Sequence, residues 1–126
     1  MVTNTAPGLC QVNVTGLAAT FNPAGCNNET TVVTYNITGA TTRSGSGDAS
    51  GQYNKGTSVV TYTVTDPGGN TASCTFTVTV NDNQTPIIVT CPASVTRSTN
   101  TGLCTWVSPN SNLDVVFTDN CPGATA

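Results

Sequence analysis

The chain repeats itself. Gly8-Leu9-Cys10 returns as Gly102-Leu103-Cys104, and Phe21 followed by Cys26 returns as Phe117 followed by Cys121. The first pair is offset by 94 positions (104 minus 10) and the second by 95 (121 minus 26). A period near 94 residues is close to the size of a β-sandwich domain. A chain of 126 residues then holds one repeat and the opening of a second, as a window on an array of similar domains.

The composition says which kind of secondary structure fills that period. Thr makes up about a fifth of the chain, and Val is also abundant; both are β-branched and suit the pleated surface of a strand. The strong helix formers Glu, Lys, Gln and Arg are scarce, so an all-β chain is expected. Disorder requires few β-branched residues and high net charge, whereas this chain has many and a net charge of -3.

The same composition excludes several functions. Arg43, Lys55 and Arg97 are far apart in sequence and cannot neutralise a run of phosphates, so no nucleic-acid partner is expected. The longest apolar run, Ile87-Ile88-Val89, is far too short to span a bilayer. Glu29 is the sole Glu, and Asp48, Asp66, Asp82, Asp114 and Asp119 form no paired motif for acid/base chemistry. With no His, Lys55 is the one side chain able to activate a hydroxyl; the nearby Ser58 reads as a surface hydroxyl at a strand start. No catalytic residue, bound cofactor or metal centre is expected.

Six Cys without a C-x-x-C pair and without His indicate a disulfide framework in place of a zinc or redox site. The protein is therefore expected outside the cytoplasm, at a cell surface or secreted. Met1-Val2-Thr3-Asn4-Thr5 lacks the basic and apolar regions of a signal peptide, so the export signal is expected elsewhere.

Strands read from Gln11 to Thr15 and from Thr30 to Ile37. The clearest pattern is a hairpin from Thr57 to Val80: Val60, Tyr62 and Val64 alternate with Thr61, Thr63 and Thr65, then Cys74, Phe76, Val78 and Val80 with Thr75, Thr77 and Thr79. Asp66-Pro67-Gly68-Gly69-Asn70 between them reads as its turn. Polar Asn81-Asp82-Asn83-Gln84-Thr85-Pro86 follows, then a new apolar strand. The expected division is residues 1–85, a repeat without its first strand, and residues 86–126, the first strands of the next.

Gly56-Thr57-Ser58-Val59-Val60-Thr61-Tyr62-Thr63-Val64-Thr65-Asp66, then Gly69-Asn70, then Cys74-Thr75-Phe76-Thr77-Val78-Thr79-Val80 resemble the hyalin repeat, or HYR, domain. Pro86-Ile87 and Cys91-Pro92 resemble the start of a following repeat, and the resemblance runs from about Thr38 to about Pro92. Gly-Leu-Cys with a second Cys some sixteen residues later resembles the four-cysteine version found in long bacterial surface proteins and gliding adhesins. The resemblance implies tandem immunoglobulin-like β-sandwiches on extracellular proteins, an adhesive role and no enzymatic activity.

Cys10 with Cys26 and Cys104 with Cys121 enclose loops of nearly equal length at equivalent repeat positions, which suggests a local disulfide in each repeat, worth about 3 kcal/mol. Cys74 and Cys91 remain. In the family a Cys-Pro cysteine opening a repeat bonds the last strand of that repeat, and here the two belong to different repeats. They are candidates for inter-repeat or intersubunit disulfides. Two arrangements are open: one long chain of neighbouring repeats, favoured because residues beyond Val95 repeat the chain's own beginning, or head-to-tail subunits of a filament. In the second, Pro86, Ile87, Ile88 and Val89 form a donor strand for a neighbour.

Four smaller features complete the reading. Asn81-Asp82-Asn83, with Asp66 or Asp119, is a candidate calcium site at the linker, against the plainer reading of a solvated polar segment. Asn13, Asn28, Asn36 and Asn83 head Asn-x-Thr sequons. Trp106 is expected in the core beside the Cys104 disulfide. The expected function is the stalk or filament of a cell-surface adhesin whose surface or glycan target is unknown. The alternative is a carbohydrate-binding accessory module, for which Tyr35, Tyr53 and Tyr62 would have to form an exposed platform with Trp106.

Overall fold

The computed structural model describes residues 1–21, 31–108 and 113–123. The chain divides into two compact units, Met1–Asn83 and Gln84–Ala126.

The described residues of the first unit form seven strands: β1 (Val2–Asn4), β2 (Gln11–Val14), β3 (Val32–Gly39), β4 (Arg43–Ser46), β5 (Gly51–Asn54), β6 (Gly56–Thr65) and β7 (Thr71–Asn81). A five-stranded sheet in the order β1-β7-β6-β3-β4 faces a two-stranded sheet of β2 and β5. This is the immunoglobulin-like sandwich that the sequence implied. Among the described residues there is no helix.

The hairpin of β6 and β7 is the spine of the larger sheet. Its register pairs Gly56 with Val80, Ser58 with Val78, Val60 with Phe76 and Tyr62 with Cys74, so these residues share the inner face. β3 continues that face with Ile37 opposite Val60 and Tyr35 opposite Tyr62. Ile37, Val60, Tyr62, Val78 and Val80 are buried there, and Tyr53 and Val14 meet them from the smaller sheet. Burying each such side chain contributes about 1.5–3 kcal/mol. The other face of β6 and β7 carries Thr57, Thr61, Thr63, Thr75, Thr77 and Thr79, a hydroxyl coat that stays wetted without charge.

The turn joining the two strands is fixed by its own side chains. Asp66 accepts hydrogen bonds from the Asn70 backbone at 2.8 Å and from Asn70 Nδ2 at 2.9 Å, and Gly69 adopts a φ of 83°. Gly39, at the end of β3, has a φ of 98°, and a Cβ there would lie 2.5 Å from the Thr57 carbonyl oxygen; no other residue fits. β1 pairs in parallel with the end of β7, Val2 opposite Thr79 and Asn4 opposite Asn81, an element too short for alternation to reveal.

Ser58 departs from the sequence reading. It is fully buried on the inner face, not a surface hydroxyl, and its Oγ accepts a hydrogen bond from the Thr41 backbone at 3.0 Å. Thr41 Oγ1 in turn accepts from the Asn54 backbone at 2.8 Å. The two hydroxyls thus satisfy buried donors of the β3–β4 connection and of β5.

The second unit holds β8 (Ile87–Thr90) and β9 (Val116–Thr118), an antiparallel pair with an irregularity between Ile88 and Thr90. Ile87, Ile88, Val89 and Val116 are exposed. The sequence repeat has a local structural counterpart. In the first unit Leu9 donates to the Ala6 carbonyl and Ala6 to the Gln11 carbonyl; in the second Leu103 donates to Asn100 and Asn100 to Thr105, all between 2.9 and 3.0 Å. Gly8 and Gly102, with φ of 72° and 80°, occupy the same place in these turns.

Candidate functional site

The most connected polar cluster of the first unit ties its two sheets together. Tyr62 on β6 reaches across the core, where its hydroxyl donates to the Leu17 carbonyl at 2.6 Å and accepts from the Ala49 backbone at 2.8 Å. The Ala49 carbonyl accepts two more bonds, from the Tyr53 hydroxyl at 3.0 Å and from Arg43 Nη2 at 2.7 Å. Arg43 Nη2 also donates to the Ser50 carbonyl at 3.2 Å. Its guanidinium lies over the rings of Tyr35 and Tyr53, 5.9 and 5.4 Å from their centroids. Ala49 is itself completely buried, so these bonds replace water at an otherwise orphaned peptide group.

Burial pushes the Tyr53 and Tyr62 hydroxyls above their ordinary pKa; the Arg43 charge opposes the shift at Tyr53, and the Ala49 N–H opposes it at Tyr62. Both phenols are held in the protonated form that their donated bonds require. The cluster is an internal brace. It leaves no nucleophile or base exposed, and Arg43 is committed to it.

The remaining candidate residues fall as follows. Lys55 Nζ lies 3.5 Å from Asp82 Oδ2, and the Asp82 side chain is largely covered; Lys55 is therefore paired with the linker and not with Ser58. Asn83 Nδ2 donates to Asn4 Oδ1 at 3.0 Å, and the Thr5 backbone donates to the Asn81 carbonyl at 2.9 Å, fastening the linker to β1. Asp66 stands at the hairpin tip and Asp82 beyond the far end of β7, a strand of 11 residues that spans about 35 Å. The candidate calcium ligands Asp66 and Asp82 are not brought together. Among the described residues no three His, Cys, Asp or Glu side chains converge.

The cysteines correct one expected pairing. Cys10 and Cys121 are each disulfide-bonded, and Cys121 is buried. Cys104 is a free, exposed thiol, so the local bond from Cys104 to Cys121 is not made. Cys104 follows the Gly102 turn outside any strand; equal loop length alone did not determine which sulfurs meet. Cys26, the expected partner of Cys10, lies outside the described residues. Cys74 and Cys91 are free and exposed.

Trp106 also departs from expectation: it is 36% exposed and beside a free thiol instead of a disulfide. Tyr53 and Tyr62 are buried, and Tyr35 packs edge-on against Tyr62 with centroids 6.2 Å apart, so the tyrosines serve the core. Asn13, Asn36 and Asn83 are exposed sequon residues; Asn28 lies outside the described residues. No helix among the described residues is long and apolar enough to cross a membrane.

Comparison with known proteins is consistent with this architecture. The HYR domain model matches residues 10–80, which extends the resemblance read from the hairpin back to Cys10. No solved structure matches the chain. HYR domains are extracellular, non-catalytic modules of immunoglobulin-like fold associated with adhesion, and the disulfide-bonded cysteines suit an oxidising compartment. The match covers more than half of the chain and includes strands of both sheets of the sandwich, and the chain belongs to the HYR domain family.

Proposed function

We propose that this chain is a section of the stalk or filament of a cell-surface adhesin, in which neighbouring repeats of the four-cysteine kind found in long bacterial surface proteins carry load between the cell and a distant target. The observation that carries the reading is the brace at Ala49. Pulling the larger sheet away breaks the bonds that Tyr62 on β6 and Arg43 on β4 make to Ala49 and Leu17 together, and each exposes a buried polar group. A spacer needs that resistance, while a binding module needs an accessible pocket or aromatic platform, and here the tyrosines are spent on the core. The Thr-coated outer face supports the same reading, since it stays soluble without long-range charge.

The test is made on the organism that carries the gene. Antibodies raised against the folded chain should label intact, unpermeabilised cells at a distance from the envelope, and deletion of the gene should reduce attachment to surfaces. Label confined to permeabilised cells, or attachment unchanged by deletion, overturns the proposal.

A further inference from the structure

β1 and β7 are the first and last strands of the first unit, yet they lie side by side and run in the same direction. Val2 pairs with Thr79, Thr3 with Val80 and Asn4 with Asn81. Bonds close the pairing at both ends: the Thr79 N–H donates to the Met1 carbonyl and the Thr5 N–H to the Asn81 carbonyl, each at 2.9 Å. Asn83 Nδ2 adds a side-chain bond to Asn4 Oδ1 at 3.0 Å, and Lys55 meets the largely covered Asp82 carboxylate where β7 leaves the sheet.

Burial does not account for this pairing. β1 is the outermost strand of its sheet, Val2 is 69% exposed and Asn4 is exposed, so little apolar surface is gained. What the parallel arrangement fixes is the response to a pull along the chain. Tension arriving ahead of Val2 draws β1 towards its N-terminal end, and tension arriving beyond Asn83 draws β7 towards its C-terminal end. In a parallel pair these pulls are opposite and lie along the strands, so the hydrogen bonds that run between them are strained all at once. In an antiparallel pair both pulls would act at one shared end and open the bonds one after another. An element preceding Met1 would alter what yields before β1 but not the direction in which β1 is pulled.

We propose that the β1–β7 pair is a shear lock that sets the force at which the first unit yields when it is stretched end to end, out of proportion to its small share of the folding stability. The proposal deepens the stalk reading and rests on it for its biological meaning. The brace at Ala49 keeps the two sheets one body, and the lock is the contact that the load meets first.

The test stretches the whole chain in optical tweezers with one DNA handle attached through Thr85→p-azidophenylalanine, at an exposed position just past the linker bonds. The second handle is attached either ahead of Met1 or through Leu9→p-azidophenylalanine, at a side chain 50% exposed. The first placement loads β1 and β7 in shear. The second pulls from the end where Asn4 and Asn81 lie together and unzips them. Residues beyond Thr85 stay outside both load paths. Expected is a yield force several-fold higher in shear than in unzipping. Thr5→Pro with Asn83→Ala, which removes the bonds to Asn81 and Asn4, should lower the shear force by about half. Asp66→Ala loosens the hairpin tip at the far end of β7; it should lower the urea midpoint and leave the shear force in place.

Equal forces in the two geometries overturn the proposal. So does a shear force indifferent to Thr5→Pro with Asn83→Ala, or one that falls as far in Asp66→Ala, since the force would then follow overall stability. Failure here with positive labelling of intact cells leaves the stalk standing and removes only the lock. Success here with no labelling removes the stalk and leaves the lock as a property of the fold.

Discussion

The hydroxyl of Tyr62 sits 2.6 Å from the Leu17 carbonyl oxygen and bridges the spine of the larger sheet to the segment that follows β2. Leu17 is 45 residues away in sequence, and its own N–H donates to Ser50 Oγ at 3.2 Å. One phenol oxygen therefore closes a long chain loop while it also accepts from Ala49.

Removing that oxygen should be costly out of proportion to its size. Tyr62→Phe keeps the ring, its stacking on Phe76 and most of its buried area, but leaves the Ala49 N–H and the Leu17 carbonyl without their partner. The expected loss is about 1–3 kcal/mol for the stranded polar groups. Urea unfolding should show a lower midpoint with an unchanged slope, because the surface exposed on unfolding hardly changes.

Arg43 tests the other half of the brace. Arg43→Lys keeps the charge but cannot hold the Ala49 and Ser50 carbonyls with one planar group while stacking on Tyr35 and Tyr53. It should destabilise the fold by about 1–2 kcal/mol. If the guanidinium acted only as a charge, thermal melts of the variant and the parent would coincide. A double variant with Tyr53→Phe should cost less than the sum of the two single changes, since both donors meet the same carbonyl.

How far these features could be read from the sequence varies with the scale of the signal. Alternation of Val, Tyr and Phe with Thr over Thr57–Val80 marked the hairpin and its two faces because a period of two, sustained over ten residues, has few other causes. The same period, extended back from Val60, places Ser58 on the inner face; a hydroxyl at a strand start obscured it. Tyr62 looked like one more core residue, since the acceptor at Leu17 and the donor at Ala49 lie in segments without periodicity. β1 spans three residues, and its partner at the end of β7 is set by tertiary contact alone. Cysteine spacing signalled oxidation but not connectivity, and Cys104 shows the difference.

Calcium should not stabilise the first unit. Asp66 spends both carboxylate oxygens on Asn70, Asp82 is paired with Lys55, and the two lie at opposite ends of β7. A ligand that binds only the native state must raise the melting midpoint. Titration with millimolar calcium, against magnesium and a chelator, should leave the midpoint in place. A rise specific to calcium would require oxygen ligands other than these.

Stability should fall at both ends of the pH range, for opposite reasons. The Asn70 side chain, followed by its backbone N–H, holds the Asp66 carboxyl below its ordinary value of 3.8. As pH falls the unfolded chain takes up that proton first, so the contribution of Asp66 is present above about pH 4 and is lost as pH drops through the lower, native value. Tyr53 and Tyr62 act in the reverse sense. Their native values lie above 10.0, chiefly through burial, so their contribution is complete below pH 10 and is lost as pH climbs towards those native values. Thermal melts across pH 2–11.5 should show a plateau with both flanks falling. Asp66→Asn should flatten the acid flank while leaving the alkaline one, and Tyr53→Phe should make the alkaline flank shallower without touching the acid one. An alkaline flank unchanged in Tyr53→Phe would mean that this phenol ionises equally easily in the folded and unfolded chain.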